Sequence, residues 1–301
     1  MVELDGAYDE FGLLHQNAAE YGLAFDPDDP PAVRRAFVAA PSGHRLSAIV
    51  WGDEPAEIVF LHGGAQNAHT WDTVILALGR PAVAIDLPGH GHSDWRADKR
   101  YHPDGIADDV AHTIETLAPQ AHTLVGMSLG GLTAVAALSR RPHLADRIAV
   151  IDVTPAVNRE KASVVTNFIA GPEVFASFDE ILERTIRFNP TRSVSSLRRG
   201  VLHNARRRED GTWVWRYDRF MPDQAENLDT RFEPLWEAFA ALNHPMLFLK
   251  GGASPVVDEA DLVELRRRKP DVVIEVVDGA GHSIQGDQPV ELAERLARFM
   301  N

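Results

Sequence analysis

The apolar positions of this chain fall into short runs separated by longer segments with helical spacing. Strands are expected over 33–40 and 44–51, joined by the turn Pro41-Ser42-Gly43. A buried strand over 57–61 runs into His62-Gly63-Gly64. A helix over 68–78, a strand over 82–87 and the loop Pro88-Gly89-His90-Gly91-His92-Ser93 follow. A helix over 104–117 then precedes a strand over 123–127, a small-residue helix and a strand over 147–153. Strands alternating with helices of this length predict βαβ units and a mostly parallel sheet.

From 156 to 241 the strand pattern disappears. Helix-like segments over 163–169, 178–188 and 195–204 lie there, with the aromatic patch Trp213-Val214-Trp215-Arg216-Tyr217. The alternation resumes with a strand over 246–250, a helix over 259–268, a strand over 272–277 and a helix over 289–300. The chain therefore divides into an N-terminal extension (1–32), an α/β core (33–155 and 242–301) and a helical insertion (156–241). The extension holds a short helix over 8–21 and an acidic, proline-rich stretch, and is expected to pack on the main domain. The insertion is expected to cap the C-terminal edge of the sheet. There is no internal repeat and no low-complexity segment.

The densest chemical signal is Gly126-Met127-Ser128-Leu129-Gly130, where the strand over 123–127 turns directly into a helix. A G-x-S-x-G turn in that setting holds its serine in strained backbone, and the glycines, with Gly131, leave room for strand and helix to pack. The turn lifts the Ser128 hydroxyl to a helix N-terminus, where backbone amides stabilise negative charge. Outside such a setting the same pattern is a tight turn with an idle serine; here Ser128 is a candidate nucleophile. Serine needs a base to take its proton. Of 13 histidines, His282 stands in Gly281-His282-Ser283, between the last strand and the last helix. That loop lies at the C-terminal edge of the sheet, where sites of open α/β sheets form. His62 is expected to stiffen the loop around Gly63-Gly64. His90 and His92, with Asp94, offer only an H-x-H spacing, and no metal site is expected. Charge developing on an acyl oxygen would be received by the Leu129 amide and one from the His62 loop, Gly64 or alternatively Ala65.

Composition narrows the setting. The 301 residues allow one large α/β domain or two small ones, with ordinary apolar content for a core. With 30 basic against 44 acidic residues, the net charge of −14 disfavours nucleic acid and anionic membranes as partners. The runs Arg206-Arg207-Arg208 and Arg266-Arg267-Arg268-Lys269 read as solvated helix faces. The absence of cysteine excludes disulfides, thiolate metal sites and a cysteine nucleophile. No apolar run is long enough to span a bilayer, and the acidic start lacks a secretory leader, so a cytoplasmic location is expected.

Four segments now stand in order: Leu61-His62-Gly63-Gly64, Asp86-Leu87-Pro88-Gly89-His90-Gly91-His92-Ser93, Gly126-Met127-Ser128-Leu129-Gly130-Gly131 and Gly281-His282-Ser283. Together they make the chain, from about residue 33 onward, resemble the α/β-hydrolase fold family. The nearest branches are the capped esterases, the haloperoxidase-like enzymes and the carbon–carbon-bond hydrolases. The resemblance implies a mostly parallel central sheet flanked by helices, with a helical cap. It implies a serine hydrolase that cleaves a small to medium carboxylic ester through an acyl-enzyme, without a cofactor. Lactonases, cofactor-free perhydrolases and carbon–carbon hydrolases use the same machinery. Ser128 excludes the aspartate nucleophile of dehalogenases and epoxide hydrolases of this fold. In such proteins the residue at Asp86 is structural.

One departure stands out. The family usually carries its acid after the next-to-last strand, but here Ser254 is followed by Pro255. Some members carry it instead after the strand that follows the elbow helix, which is Asp152 in Val150-Ile151-Asp152-Val153. Asp152 is therefore the expected acid and Asp258 the alternative. A missing acid is also what a lapsed hydrolase serving as a binding protein would show, although Ser128 and His282 speak against that.

Overall fold

The computed structural model describes residues 8–158, 160–219 and 232–301. After α1 (Leu14–Tyr21) come β1 (Val33–Ala39), β2 (Arg45–Trp51) and β3 (Ile58–Leu61). A 3-10 turn (Ala68–Trp71) leads into α2 (Asp72–Leu78), followed by β4 (Ala82–Asp86), α3 (Pro103–Leu117), β5 (Thr123–Met127), α4 (Leu129–Arg140) and β6 (Arg147–Ile151). The insertion contributes α5 (Ser163–Ile169), β7 (Val174–Phe175), α6 (Phe178–Phe188), α7 (Val194–Asn204), β8 (Ala205–Arg207), β9 (Trp213–Trp215) and α8 (Leu235–Ala241). The chain closes with β10 (Met246–Gly251), α9 (Glu259–Arg268), β11 (Val273–Val277), α10 (Ile284–Asp287) and α11 (Pro289–Met300).

Eight strands form one sheet in the order β1-β2-β4-β3-β5-β6-β10-β11. The hairpin and the β2–β4 pair are antiparallel, and every other pairing is parallel. The inner strands are buried on both faces, so alternate residues feed two cores. Leu61, Ile85, Leu124, Val150 and Phe248 pack on one face with α3, α4, α8 and α9. Phe60, Ala84, Val125, Ile151 and Leu249 pack on the other with α1, α2 and α11. Among the described residues no helix is long and apolar enough to cross a membrane.

Several expectations need correcting. The insertion does contain strands: β7, β9 and β8 form a small antiparallel sheet, and the aromatic patch is its middle strand. These strands have two or three residues, too few to show an alternating pattern. Arg206 and Arg207 therefore lie exposed on β8 rather than on a helix. Lys269 is buried, donating to the Leu242 carbonyl at 2.9 Å and pairing with Asp271. Although α8 falls within the expected insertion, Leu235, Trp236 and Phe239 join the core beside Leu132 and Val153. Helix α1 starts at Leu14 rather than residue 8, because Asp9 Oδ1 accepts from the Phe11 and Gly12 amides and turns the chain before it.

Candidate active site

Register aligns the ends of four strands. Leu61 pairs with Gly126, Met127 with Ile151 and Ile151 with Leu249. The residues that follow, His62, Ser128 and Asp152, therefore emerge side by side at one edge. Ladder bonds continue into them, with the Ser128 amide donating to Ile151 at 3.0 Å and that of Asp152 to Leu249 at 2.8 Å. Ser128 has φ 52° and ψ −121°, a positive φ that L-residues other than glycine rarely adopt. It is the N-cap of α4. Close packing explains the two flanking glycines: a Cβ on Gly126 would lie 2.4 Å from the Gly130 carbonyl oxygen, and one on Gly130 2.3 Å from that of Leu61.

His282 donates from Nδ1 to Asp152 Oδ2 at 2.8 Å. Asp152 is fully buried and, like Ser128, has a positive φ, 51°. Its Oδ1 accepts from the Gly251 amide at 2.9 Å, and the Ser254 hydroxyl donates to Oδ2. Ser254 oxygen in turn accepts from the Val256 amide at 3.1 Å. The strand end that usually carries the acid thus supplies two donors to an acid placed one strand away. Asp258 sits elsewhere, as the N-cap of α9 in a capping box and in an ion pair with Lys161 at 3.0 Å. With Nδ1–H committed to a carboxylate, the neutral ring presents a lone pair at Nε2.

The loop after β3 separates the two candidate oxyanion donors. The Ala65 amide donates to His90 Nε2 at 3.1 Å, so it is already engaged. His90 Nδ1–H donates to the Pro88 carbonyl at 3.0 Å, and burial lowers the ring's pKa, keeping it neutral. Both nitrogens of His90 are thus taken. His62 is fixed likewise, Nδ1–H donating to Gly63 O at 2.7 Å and Nε2 accepting from the Leu87 amide at 2.9 Å. Burial, with His90 alongside, pushes its pKa down to about 3. The Gly63 amide donates to Gln66 Oε1 at 3.1 Å. Among the described residues, the amides of Gly64 and Leu129 have no such partner. Asp86 holds its loop, accepting from the Ala68 amide at 2.8 Å, the His92 amide at 3.0 Å and Arg35 at 2.8 Å. Burial opposes its charge, but Arg35 and those amides outweigh it and lower the pKa.

Ser128, His282 and Gly64 line a cavity of about 430 Å³. The insertion supplies Phe168, Phe188, Val201 and Trp215, and α1 supplies Asn17 and Tyr21. The insertion has its own apolar core of Phe175, Ile181, Val201, Trp215 and Tyr217, which packs on Ala65. Polar bonds fasten it there: Asn204 donates to the Ala65 carbonyl at 2.7 Å, and Asn67 to that of His203 at 3.1 Å. Gln66 bridges the two loops of the site, donating to Ser283 Oγ at 3.1 Å. Sequence reasoning missed Gln66, Ser254 and Asn204. Of these only Ser254 left a signal, as a hydroxyl where the family acid was absent.

Among the described residues, the group suited to a metal is His69, Asp72 and His203, whose ligating atoms lie within 4.8 Å of one another. His69 is already bonded on both sides, by Asp72 at 2.8 Å and Glu10 at 3.1 Å, and it stacks on His203 at 3.8 Å. Burial favours the neutral forms of His69 and Asp72, but two carboxylates on one ring outweigh it and raise His69 to about 9. The cluster is thus a buried ion-pair network with a cation already in place. It anchors the N-terminal segment, where Glu10 also pairs with Arg35 and Tyr8 donates to His203 Nδ1 at 2.5 Å.

The family model described as "Alpha/beta hydrolase family" matches residues 58–295. Esterase Rv0045c of Mycobacterium tuberculosis is 43% identical over 300 residues, covering 97% of this chain and 95% of that one. Its crystal structure superposes with a TM-score of 0.86 at 42% identity, covering 99% of each chain. The 2-(acetamidomethylene)succinate hydrolase of Mesorhizobium japonicum is 26% identical over 247 residues, 81% of this chain and 87% of its own.

Proposed function

The chain belongs to the alpha/beta hydrolase family, and we propose that it is a serine carboxylesterase whose triad is Ser128, His282 and Asp152. One observation carries the assignment: the 2.8 Å bond from His282 to buried Asp152, in a cavity that Ser128 also lines. Ser128 attacks the acyl carbon as His282 Nε2 takes its proton. Asp152 holds the tautomer and stabilises the imidazolium that forms. The oxyanion is received by the amides of Gly64 and Leu129, each such donor being worth about 3 kcal/mol of barrier. His282 then protonates the departing alcohol and activates a water that hydrolyses the acyl-enzyme. Ester hydrolysis by these groups calls on no cofactor.

The insertion from about residue 156 serves as the cap, with Phe168, Phe188 and Trp215 shaping the acyl or alcohol side of the cavity. Part of it, 220–231, lies outside the described residues. The substrates are small-molecule esters. Ser128→Ala should abolish hydrolysis of 4-nitrophenyl esters, and a fluorophosphonate should label wild type but not the variant. Undiminished turnover in Ser128→Ala would end the serine-hydrolase reading.

A further inference from the structure

The cavity also has polar lining that ester hydrolysis does not call on. Arg192, just ahead of α7, provides it together with Tyr21 and Asn17 of α1. The Arg192 guanidinium lies against the backbone of Gly286, where a Cβ would come within 2.7 Å of Cζ and Nη1. Gly286 belongs to α10, which starts two residues after His282, so the cation is held beside the loop of the base.

Arg192 is poorly satisfied. Among the described residues its guanidinium makes one hydrogen bond, from Nη2 to Ser196 Oγ at 2.9 Å, its Nε is buried without a partner, and it forms no ion pair. A guanidinium carries five donors and cannot lose its proton in a protein. Burial, with Arg199 nearby, lowers its pKa against the pull of Asp287, Tyr21 and Glu20. The nearby acids have other tasks. Glu20 binds Arg199 and Ser193, and Asp287 accepts from the Gly281 amide at 2.8 Å. Glu20 thus pairs with Arg199, whereas no carboxylate among the described residues lies within ion-pair distance of Arg192. The Asn17 side chain, although buried, and the Tyr21 hydroxyl also make no hydrogen bond among the described residues. An unpaired cation beside two free polar groups in a pocket suits an anionic ligand group.

We propose that this part of the cavity is a carboxylate subsite, and that the preferred esters carry a second, ionised carboxylate a short chain away from the scissile carbonyl. The inference rests on the esterase reading above. A planar monoanion matches the flat guanidinium, whereas the Asp287 carboxylate nearby disfavours a dianion such as phosphate. The subsite also gives α1 a place in substrate binding.

The test compares 4-nitrophenyl hemiadipate with neutral 4-nitrophenyl hexanoate, corrected for spontaneous hydrolysis. In wild type the anionic ester should be preferred in kcat/KM. In Arg192→Gln the ratio of the two should fall about tenfold or more, as loss of a charge-assisted hydrogen bond predicts, mainly through KM. Arg192→Lys should restore part of it. Gly286→Ala, which pushes the guanidinium off its seat, should lower the ratio too and serves if Arg192→Gln fails to fold. Free adipate should compete in wild type better than inorganic phosphate. An unchanged ratio in folded Arg192→Gln or in Gly286→Ala would overturn the proposal, as would phosphate being the better competitor. If wild type hydrolyses neither ester, the esterase reading itself has failed.

Discussion

The core side of the cavity and its outer side are held by different forces. On the core side, Ser128 and Asp152 follow strands whose ladders position them, and a backbone amide and a buried hydroxyl bind the Asp152 carboxylate. On the outer side, side-chain contacts fasten the N-terminal segment and α1 to the core and to the insertion. Glu20 binds Arg199, Glu10 binds Arg35 and His69, and Tyr8 binds His203. Ladder geometry sets atoms to a fraction of an ångström and varies little with pH. Ion pairs between separate segments titrate, and they can be exchanged without disturbing the sheet. On the proposed reading, the chemistry rests on the sheet and selectivity on what covers it.

The largest of the effects that would sharpen this contrast concerns Ser254. Ser254→Ala removes a hydroxyl donor from the Asp152 carboxylate, and a hydrogen bond to a charged group is worth about 1.5–3 kcal/mol. We expect kcat for a short neutral ester to fall about tenfold or more, with KM little changed. Steady-state kinetics decide, and an unchanged kcat would remove Ser254 from the positioning of Asp152. A smaller effect is expected at Phe188, on the cavity wall. Phe188→Ala should shift preference toward longer acyl chains, each extra methylene contributing about 1–3 kcal/mol in an apolar pocket. An acyl-chain series that matches wild type would mean that the insertion does not shape the substrate.

The smallest effect is on stability. His69 is raised from 6.5 to about 9 in the folded protein. Its stabilisation is therefore complete below about pH 6.5 and is lost as pH rises through about 9. The difference in melting temperature between wild type and His69→Gln should be widest near pH 6 and narrow above about pH 9. A gap that widens with rising pH would contradict a protonated His69.

The same division decided what could be read from the sequence. Helices α6, α9 and α11 end where their apolar spacing ends, and the core strands fall within a residue or two of expectation. Ser128 announced itself because the glycines beside it are demanded by local geometry, and His282 because it stands in a glycine-rich loop between the last strand and the last helix. Asp152 was reachable only by asking where a displaced acid could stand. The partners that complete the site come from far along the chain, Ser254 lying 102 residues from Asp152 and Gln66 217 from Ser283. Periodicity carries no trace of such pairings. Nor could it show that α1 reaches the cavity, since α1 is held by residues far along the chain, Leu14 packing in the core with α2 and α11 and Glu20 pairing with Arg199. The small sheet of the insertion escaped notice because strands of two or three residues leave no pattern.

The most direct test of the account lies in two isosteric substitutions. Asp152→Asn keeps the shape of the acid but removes the charge that holds His282 in its working tautomer, and should lower kcat about 10⁴-fold. Asp258→Asn only weakens a helix cap and a half-exposed ion pair with Lys161, and should leave most of the turnover. Measured side by side on one neutral 4-nitrophenyl ester, with folding checked by thermal melting, the first should be nearly inactive and the second active. Full activity in Asp152→Asn with collapse in Asp258→Asn would contradict the assignment of the triad.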